Sequence, residues 1–531
     1  MTPSDTHDYV IVGAGSAGAV LAARLTEDPG TRVLLLEAGP APDADEIDIP
    51  AAFATLFKTR WDWNYSTIEQ KQLHNRRAFW PRMKALGGCS SMNAMIYIRG
   101  NRADYDAWRD QYGATGWGYD DVLPYFVRAE GNTRLGRPYH GQDGPLHVED
   151  RRYTHELTNA WVDSAVAAGM KPTDDFNGAD QLGAGLYQVT CRNGRRWSTH
   201  RAYLEPAMTR PNLDVETGAF VTRIELAGER ATGVRYRIGG REVTARARRE
   251  VLLCGGAVNS PHLLLLSGIG PAAHLREHGI DVAVDLPGVG QGLQDHPACP
   301  MIWYTRDSTD IAELSNLRNL VRWKARGSGP LASNIGEAGG FERVGSDPAG
   351  DPAVPDIQYH VAPSGFYDNG LHEPTARMVT AAPTLVQVRS RGSLRLRSAD
   401  PAWHPDIDAG YFDDPADLDT MVAGLRRVHE ICTQGPLARH LTRPWQLPDQ
   451  PGDDDLVEHA RTWSQTLYHP VATCAMGSGE DAVVDPSLRV RGVTGLRVVD
   501  ASVMPVVPRG NTNAPTIMVA ERAADLIRSA R

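Results

Sequence analysis

The most constraining stretch of the 531-residue chain is Asp8 to Gly39, DYVIVGAGSAGAVLAARLTEDPGTRVLLLEAG. Tyr9 to Val12 is a short apolar run of the kind a buried parallel strand requires. It leads straight into Gly13-Ala14-Gly15-Ser16-Ala17-Gly18, a G-x-G-x-x-G turn, and a helical pattern follows until Pro29-Gly30 stops it. A second apolar strand, Val33 to Leu36, ends on Glu37. Gly13 permits the tight turn and Gly15 lets the backbone approach a pyrophosphate. Gly18 lets the helix pack close to the strand, so that its positive N-terminus faces the phosphates. Glu37, about twenty residues past the glycines, is placed to accept from both ribose hydroxyls. The same carboxylate repels a 2′-phosphate, which disfavours NADP. A lone glycine turn is a weak signal, but strand, glycines, helix, second strand and acid in this order predict a dinucleotide site. The motif leaves FAD and NAD open.

Composition removes other classes. With 41% hydrophobic residues the chain has material for a large core, and its formal net charge of -10, without a dense basic run, argues against a nucleic-acid partner. The first strand begins so early that no signal peptide is expected ahead of it. No uninterrupted apolar stretch reaches about eighteen residues, so no transmembrane segment is expected. Six cysteines lie scattered without C-x-x-C spacing, which predicts neither a zinc site nor a disulfide framework and fits a reduced, cytoplasmic location. A serine hydrolase would need a G-x-S-x-G elbow and a metalloenzyme clustered His and carboxylates; the sequence has neither, and no metal is expected.

Further along, Lys84 to Gly100 contains Gly87-Gly88-Cys89-Ser90-Ser91, a loop in which backbone must lie close against something flat or anionic. A helix is predicted over Leu157 to Gly169. Strands follow at Leu213 to Thr217, Ala219 to Leu226, Ala231 to Arg237, Glu242 to Ala247 and Glu250 to Cys254, then a strand–glycine–helix junction at Gly255 to Gly270. From about 303 to 464 alternating strands (Asp356 to Val361, Val379 to Thr380, Thr384 to Arg389, Ser393 to Arg397) and a helix over Ala416 to Thr433 predict a second domain, an antiparallel sheet covered by helices. Residues 315–334 read equally as a lid or as a solvated helix and loop. The C-terminal segment holds Tyr468-His469-Pro470 and Gly510-Asn511-Thr512-Asn513-Ala514-Pro515, the latter opening a helix from Ile517 to Ile527 with Asn513 as its cap.

The blocks 8–39, 84–106 and 256–270, with His469 and Asn513, resemble the glucose–methanol–choline (GMC) oxidoreductases across essentially the whole chain. The resemblance implies FAD and an α/β (α+β overall) fold: a discontinuous Rossmann-like FAD domain (1–155, 196–302, 465–531) and an inserted substrate domain (156–195, 303–464). By the same resemblance Gly13, Gly15, Ser16, Ala17, Gly18, Glu37 and Ala38 hold the ADP half of FAD. Gly88, Ser90, Asn93, Ala94, Met95 and Ile96 lie along the flavin and its ribityl chain. Val221 contacts adenine through its backbone, Asp500 and Ala501 lie beside the pyrophosphate and ribityl, and Asn511 and Asn513 join the cofactor contacts. Met83 and Cys89 depart from the usual signature Gly and Ser. Where relatives link flavin covalently through this loop, a histidine occupies the position of Met92; methionine cannot form that bond, so FAD is expected to dissociate.

The implied reaction oxidises an alcohol to a carbonyl. His469 serves as base for the hydroxyl proton, flavin N5 takes the hydride, and Asn513 is the partner of His469 that orients the substrate oxygen. Tyr468 and Phe366 are expected at the substrate pocket, with Glu337, Phe341, Tyr359 and Tyr367 as further candidates, and His296 as a structural residue near the flavin. The electrons pass to O2 or another acceptor. The family also includes lyase and photodecarboxylase members; the presence of both His469 and Asn513 favours alcohol oxidation. The particular alcohol and the oligomeric state are not legible.

Overall fold

The computed structural model describes residues 6–306, 308, 311, 313–345, 350–374 and 376–530. The first five residues of the polar N-terminus lie outside these. The strand Thr6–Val12 is buried between two parallel neighbours, Val33–Glu37 and Arg241–Leu253, with Val10 opposite Leu34 on one side and Val251 on the other. Covered on both faces, residues 33–36 and the 9–12 part of the central strand are apolar without alternation, as are the last three residues of Arg241–Leu253. Leu213–Thr217 extends the sheet beyond Val33–Glu37.

On the other side one long strand does two jobs. Its first half pairs antiparallel with Arg230–Ile238, which pairs in turn with Phe220–Ala227; its last three residues pair parallel with Leu496–Val498. The expected break between Ala247 and Glu250 is absent. The exposed Arg248 and Arg249 between them reach Asp8, at 3.3 and 3.2 Å, and the strand runs through.

The second sheet is antiparallel, in the order Leu441–Pro444, Met301–Thr305, Met378–Leu385, Ile357–Ala362, Ala338–Glu342, Gly183–Leu186. The helices Glu156–Ala167 and Pro415–Gln434 cover one face of it. Met378–Leu385 is a single strand where two were expected, because Ala381-Ala382-Pro383 carries little strand propensity of its own and is held by its neighbours. Residues 315–334 form the helix Leu317–Arg326 and a short turn, pinned by the buried Trp323, whose indole N–H donates to the Gly194 carbonyl at 2.8 Å. Among the described residues no helix is long and apolar enough to cross a membrane.

The C-terminal helix Asn513–Ser529 packs along Ser16–Leu25. It starts at Asn513 with Thr512 ahead of it and no side-chain cap, so Asn513 is not the cap its sequence position suggested. Fully buried Glu521 accepts from Arg24 at 2.8 Å, Arg128 at 2.8 Å and the Tyr203 hydroxyl at 2.8 Å. Removing the acid leaves Arg24 only Glu27 and Arg128 only Asp525 as carboxylate partners and takes away the buried acceptor of the Tyr203 hydroxyl. Glu521→Ala is therefore expected to cost about 3 kcal/mol and to lower the melting temperature by more than Glu521→Gln does; equal melting curves for wild type and Glu521→Ala would contradict this.

Candidate active site

One cavity runs from the glycine turn of the parallel sheet to the uncovered face of the antiparallel sheet. At its first end lie Gly13, Gly15, Ser16 and Ala17, where the helix Ser16–Leu25 begins without a side-chain cap and without an acid in its first turn. Its amides are left for an anion. The Glu37 carboxylate accepts from the Ala14 N–H at 2.9 Å and the Gly39 N–H at 2.8 Å, each oxygen keeping a lone pair for a hydroxyl. Burial pushes its pKa up and these two amides oppose that. Ala38 and Val221 line the same end; the Ala219 N–H donates to the Glu37 carbonyl at 2.8 Å, which brings that strand alongside.

Midway, Gly88, Cys89 and Met92 to Ile96 form one wall and Gly256 with Asp500 and Ala501 another. Asp500 is fully engaged: it accepts from the Gly256 N–H at 2.9 Å and the Ser260 hydroxyl at 2.6 Å, and through its other oxygen from Ser502. It therefore fixes the loop rather than offering an open carboxylate.

At the far end His469 is held from every side. Its backbone N–H donates to Asp295 at 2.7 Å, and Thr466 donates to the other oxygen of the same carboxylate. Its ring Nδ1 lies 3.0 Å from Nδ1 of His296, and its Nε2 lies 3.3 Å from the Asn511 amide nitrogen. The Asn511 carbonyl accepts from Gln358 at 3.2 Å, which turns the amide NH2 toward the imidazole. With Nε2 accepting, Nδ1 carries the proton and donates to His296. Burial lowers the His469 pKa well below its ordinary value, and neighbouring His296, His360 and Arg82 lower it further. His296 and His360 are themselves pushed down to about 3 by burial. The imidazole is neutral near pH 7.

Backbone strain collects here. Met95, Ile335 and Tyr468 all line the cavity with φ of +58°, +65° and +69°. A β-branched residue in that region is a true outlier, and such strain concentrates at functional sites. Tyr468 is clamped by its N–H to the Thr466 hydroxyl at 2.7 Å and by Arg82 to its carbonyl at 2.9 Å.

Most of the expected residues line this cavity, and four expectations are corrected. The amide beside the His469 ring belongs to Asn511, while Asn513, the expected partner, accepts from the Ser16 hydroxyl at 2.7 Å, 497 positions away. The Ser90 hydroxyl turns into the protein, donating to the Gly87 carbonyl at 2.6 Å and lying 2.9 Å from the Thr199 hydroxyl, so it does not lie along the cavity. Gly18 is likewise outside the lining and acts only in packing. Of the further pocket candidates, Phe366 lines the cavity, but Glu337 is spent on Ser333, Thr158 and the His155 N–H, Tyr359 bonds Glu342, Phe341 packs on Phe176, and Tyr367 stacks on Trp445. Sequence reading missed His360, Phe53, Phe57, Ile335 and Arg82. Only His360 had a signal, because it alternates with the helix-facing Tyr359 on Ile357–Ala362.

A nucleotide-binding parallel sheet that shares one cavity with a helix-covered antiparallel sheet defines a cofactor-dependent oxidoreductase architecture. The chain matches the profiles described as GMC oxidoreductase over residues 7–298 and 388–520. It is 42% identical over 531 residues to an alcohol dehydrogenase (acceptor) of Pseudomonas putida, covering 98% of this chain and 95% of the relative. It is 44% identical over 556 residues to the mitochondrial choline dehydrogenase of Homo sapiens, covering 99% and 90%. Pyridoxine 4-oxidase from Mesorbium loti superposes with a TM-score of 0.90 at 30% identity, covering 98% of this chain and 99% of that one. The chain belongs to the GMC oxidoreductases, which bind FAD, and is an enzyme of that class.

The residues fit FAD. The helix N-terminus is uncapped, and a Cβ added at Gly256 would meet nothing within 4 Å. Gly15 and Gly18 separate cofactor binding from folding. At Gly15, φ −73°, an added Cβ meets no protein atom closer than 3.9 Å and takes up cavity space; at Gly18 it meets the Gly13 carbonyl oxygen at 1.9 Å. Gly15→Ala is expected to fold normally and bind FAD at least about tenfold more weakly in a fluorescence titration, a loss of about 1.4 kcal/mol. Gly18→Ala is expected to lose folded protein. Unchanged FAD affinity in Gly15→Ala would overturn the placing of the phosphates at this turn.

Proposed function

We propose that the chain oxidises a CH–OH group to a carbonyl, with His469 accepting the hydroxyl proton and Asn511 orienting the oxygen. The observation that carries this is the facing pair His469 Nε2 and Asn511 Nδ2 at 3.3 Å, on the wall of the cavity. The alcohol and choline dehydrogenases among its relatives support the reaction class. FAD, when bound, supplies the hydride acceptor at flavin N5. A neutral imidazole accepts the proton at Nε2 once the substrate hydroxyl takes the place of the Asn511 N–H there, and the Asn511 amide, turned to the oxygen, stabilises the charge developing on it. Asn513, fastened to Ser16 at the helix N-terminus, serves the cofactor instead.

In this reading residues 1–155, 196–302 and 465–531 form the FAD side, and 156–195 and 303–464 the substrate side, with Phe53, Phe57, Met92 and Tyr468 of the first set also lining the substrate end. Six free cysteines, five of them buried, support a reducing, cytoplasmic location. O2 or another acceptor takes the electrons.

His469→Ala is expected to lower alcohol turnover at least about a hundredfold. Asn511→Ala is expected to lose about 10²–10³ in kcat, as for other donors to a developing oxyanion. Asn513→Ala should act chiefly on FAD affinity. If Asn513→Ala instead loses kcat with full flavin while Asn511→Ala does not, the two roles are reversed.

Flavin attachment is non-covalent in this reading, because the buried Met92 lines the cavity where linking members carry histidine. Acid denaturation is expected to release all yellow colour into the filtrate; fluorescence retained by the polypeptide on a denaturing gel would end that reading.

A further inference from the structure

The substrate end of the cavity restricts the kind of alcohol it accepts, an inference that rests on the alcohol-oxidation reading above. Its wall is Phe53, Phe57, Met92, Ile335, Phe366 and Tyr468. The only carboxylates among the described lining residues are Glu37, held by backbone amides at the dinucleotide end, and Asp500, held midway by backbone amides and the Ser260 and Ser502 hydroxyls. Glu337, the nearby acid suggested by sequence, is fully bonded inside the protein. Asp368, on the loop after Phe366, pairs with His372 at 3.0 Å.

The charge that does face this end is positive. Arg82 lines the cavity and gives one N–H to the Tyr468 carbonyl, while its Nε and Nη2 are buried without a partner. Its guanidinium pairs with no carboxylate among the described residues. A quaternary ammonium needs either an anion or an open aromatic face. The rings here pack on one another instead: Phe53 meets Phe57 edge-on at 6.0 Å, Phe57 lies 5.8 Å from Tyr468, and neighbouring Phe79 carries the protein's own Lys58 ammonium at 5.0 Å.

We infer that the substrate is an uncharged alcohol with an apolar body, and that a cationic alcohol such as choline is rejected, although several relatives are named for choline. An apolar body replaces water along the phenylalanine wall at a gain. A cation would lose its hydration beside an unpaired guanidinium with nothing to replace it, the repulsive element on which discrimination depends.

The test compares two alcohols of the same shape, 3,3-dimethyl-1-butanol and choline, which differ by carbon against N⁺. FAD-loaded enzyme is mixed anaerobically with each, and with 1-hexanol and benzyl alcohol, while bleaching of the flavin band is followed. The neutral isostere is expected to exceed choline at least about tenfold in kcat/KM, about 1.4 kcal/mol. Arg82→Gln is expected to narrow that ratio, and an unchanged ratio would remove Arg82 as its cause. Choline equal to or faster than its isostere overturns the inference and leaves alcohol oxidation standing. Bleaching by none of the four removes the alcohol reading itself, and this inference with it.

Discussion

The approach of Gly18 to the Gly13 carbonyl is the contact on which the rest of the molecule depends. No side chain fits there, because a Cβ would stand 1.9 Å from that oxygen. The closeness seats the helix Ser16–Leu25 so that its first amides look into the cavity and its first hydroxyl, Ser16, reaches Asn513. At the other end of the same helix, Arg24 meets Glu521 on the C-terminal helix. The two helices are thus clamped at both ends, one by a neutral hydrogen bond at the cavity and one by a buried ion pair away from it. Asn511, two residues ahead of the upper clamp, is carried to His469 as a consequence. The geometry of the proposed chemistry is inherited from the geometry of the nucleotide turn.

The electrostatics of His469 differ from those of a histidine backed by a carboxylate. Asp295 is close, but its oxygens accept from the backbone N–H of His469 and from side-chain hydroxyls, and the ring itself faces His296 and Asn511. Burial and neighbouring positive charge keep the imidazole neutral. In the proposed reaction the protonated ring finds no anion in the protein. The same surroundings favour negative charge on the substrate oxygen, so they lower the cost of forming the alkoxide rather than of storing the proton.

What the sequence made legible followed from patterns with steric causes. The strand–glycine–helix–strand order located the first sheet and the nucleotide end, because each glycine answers a close approach that nothing else satisfies. The long strand Arg241–Leu253 was harder: two consecutive arginines interrupt its pattern, and Asp8, far away in sequence, receives them. Asn511 and Asn513 show the limit most clearly. Two residues apart on either side of a helix start, they take different partners: the family resemblance pointed to Asn513 beside His469, while the chain brings Asn511 to the imidazole and Asn513 to Ser16. The wall of Phe53 and Phe57 had no signal at all, since a short turn of apolar residues has no period to read. Tyr359 and His360 were separable by the two-residue alternation of a strand, once it was known which face the helices cover.

The distribution of charge across the cavity follows from the same division of labour. A chain with a formal net charge of -10 has ample carboxylate, yet it keeps acids off the substrate wall. Glu37 and Asp500 stand where backbone amides neutralise them and where hydroxyl or loop contacts need acceptors. At the other end Arg82 is the charged side chain among the described lining residues, held by the Tyr468 carbonyl, and the buried Asp295 carboxylate beneath His469 partly offsets its field. An acid beside Arg82 would satisfy the guanidinium and cancel that field, but it would also pull His469 toward its protonated form and remove the base. The lack of an acid among the described lining residues there suits the proton acceptor first, and the proposed exclusion of cationic substrates follows from it.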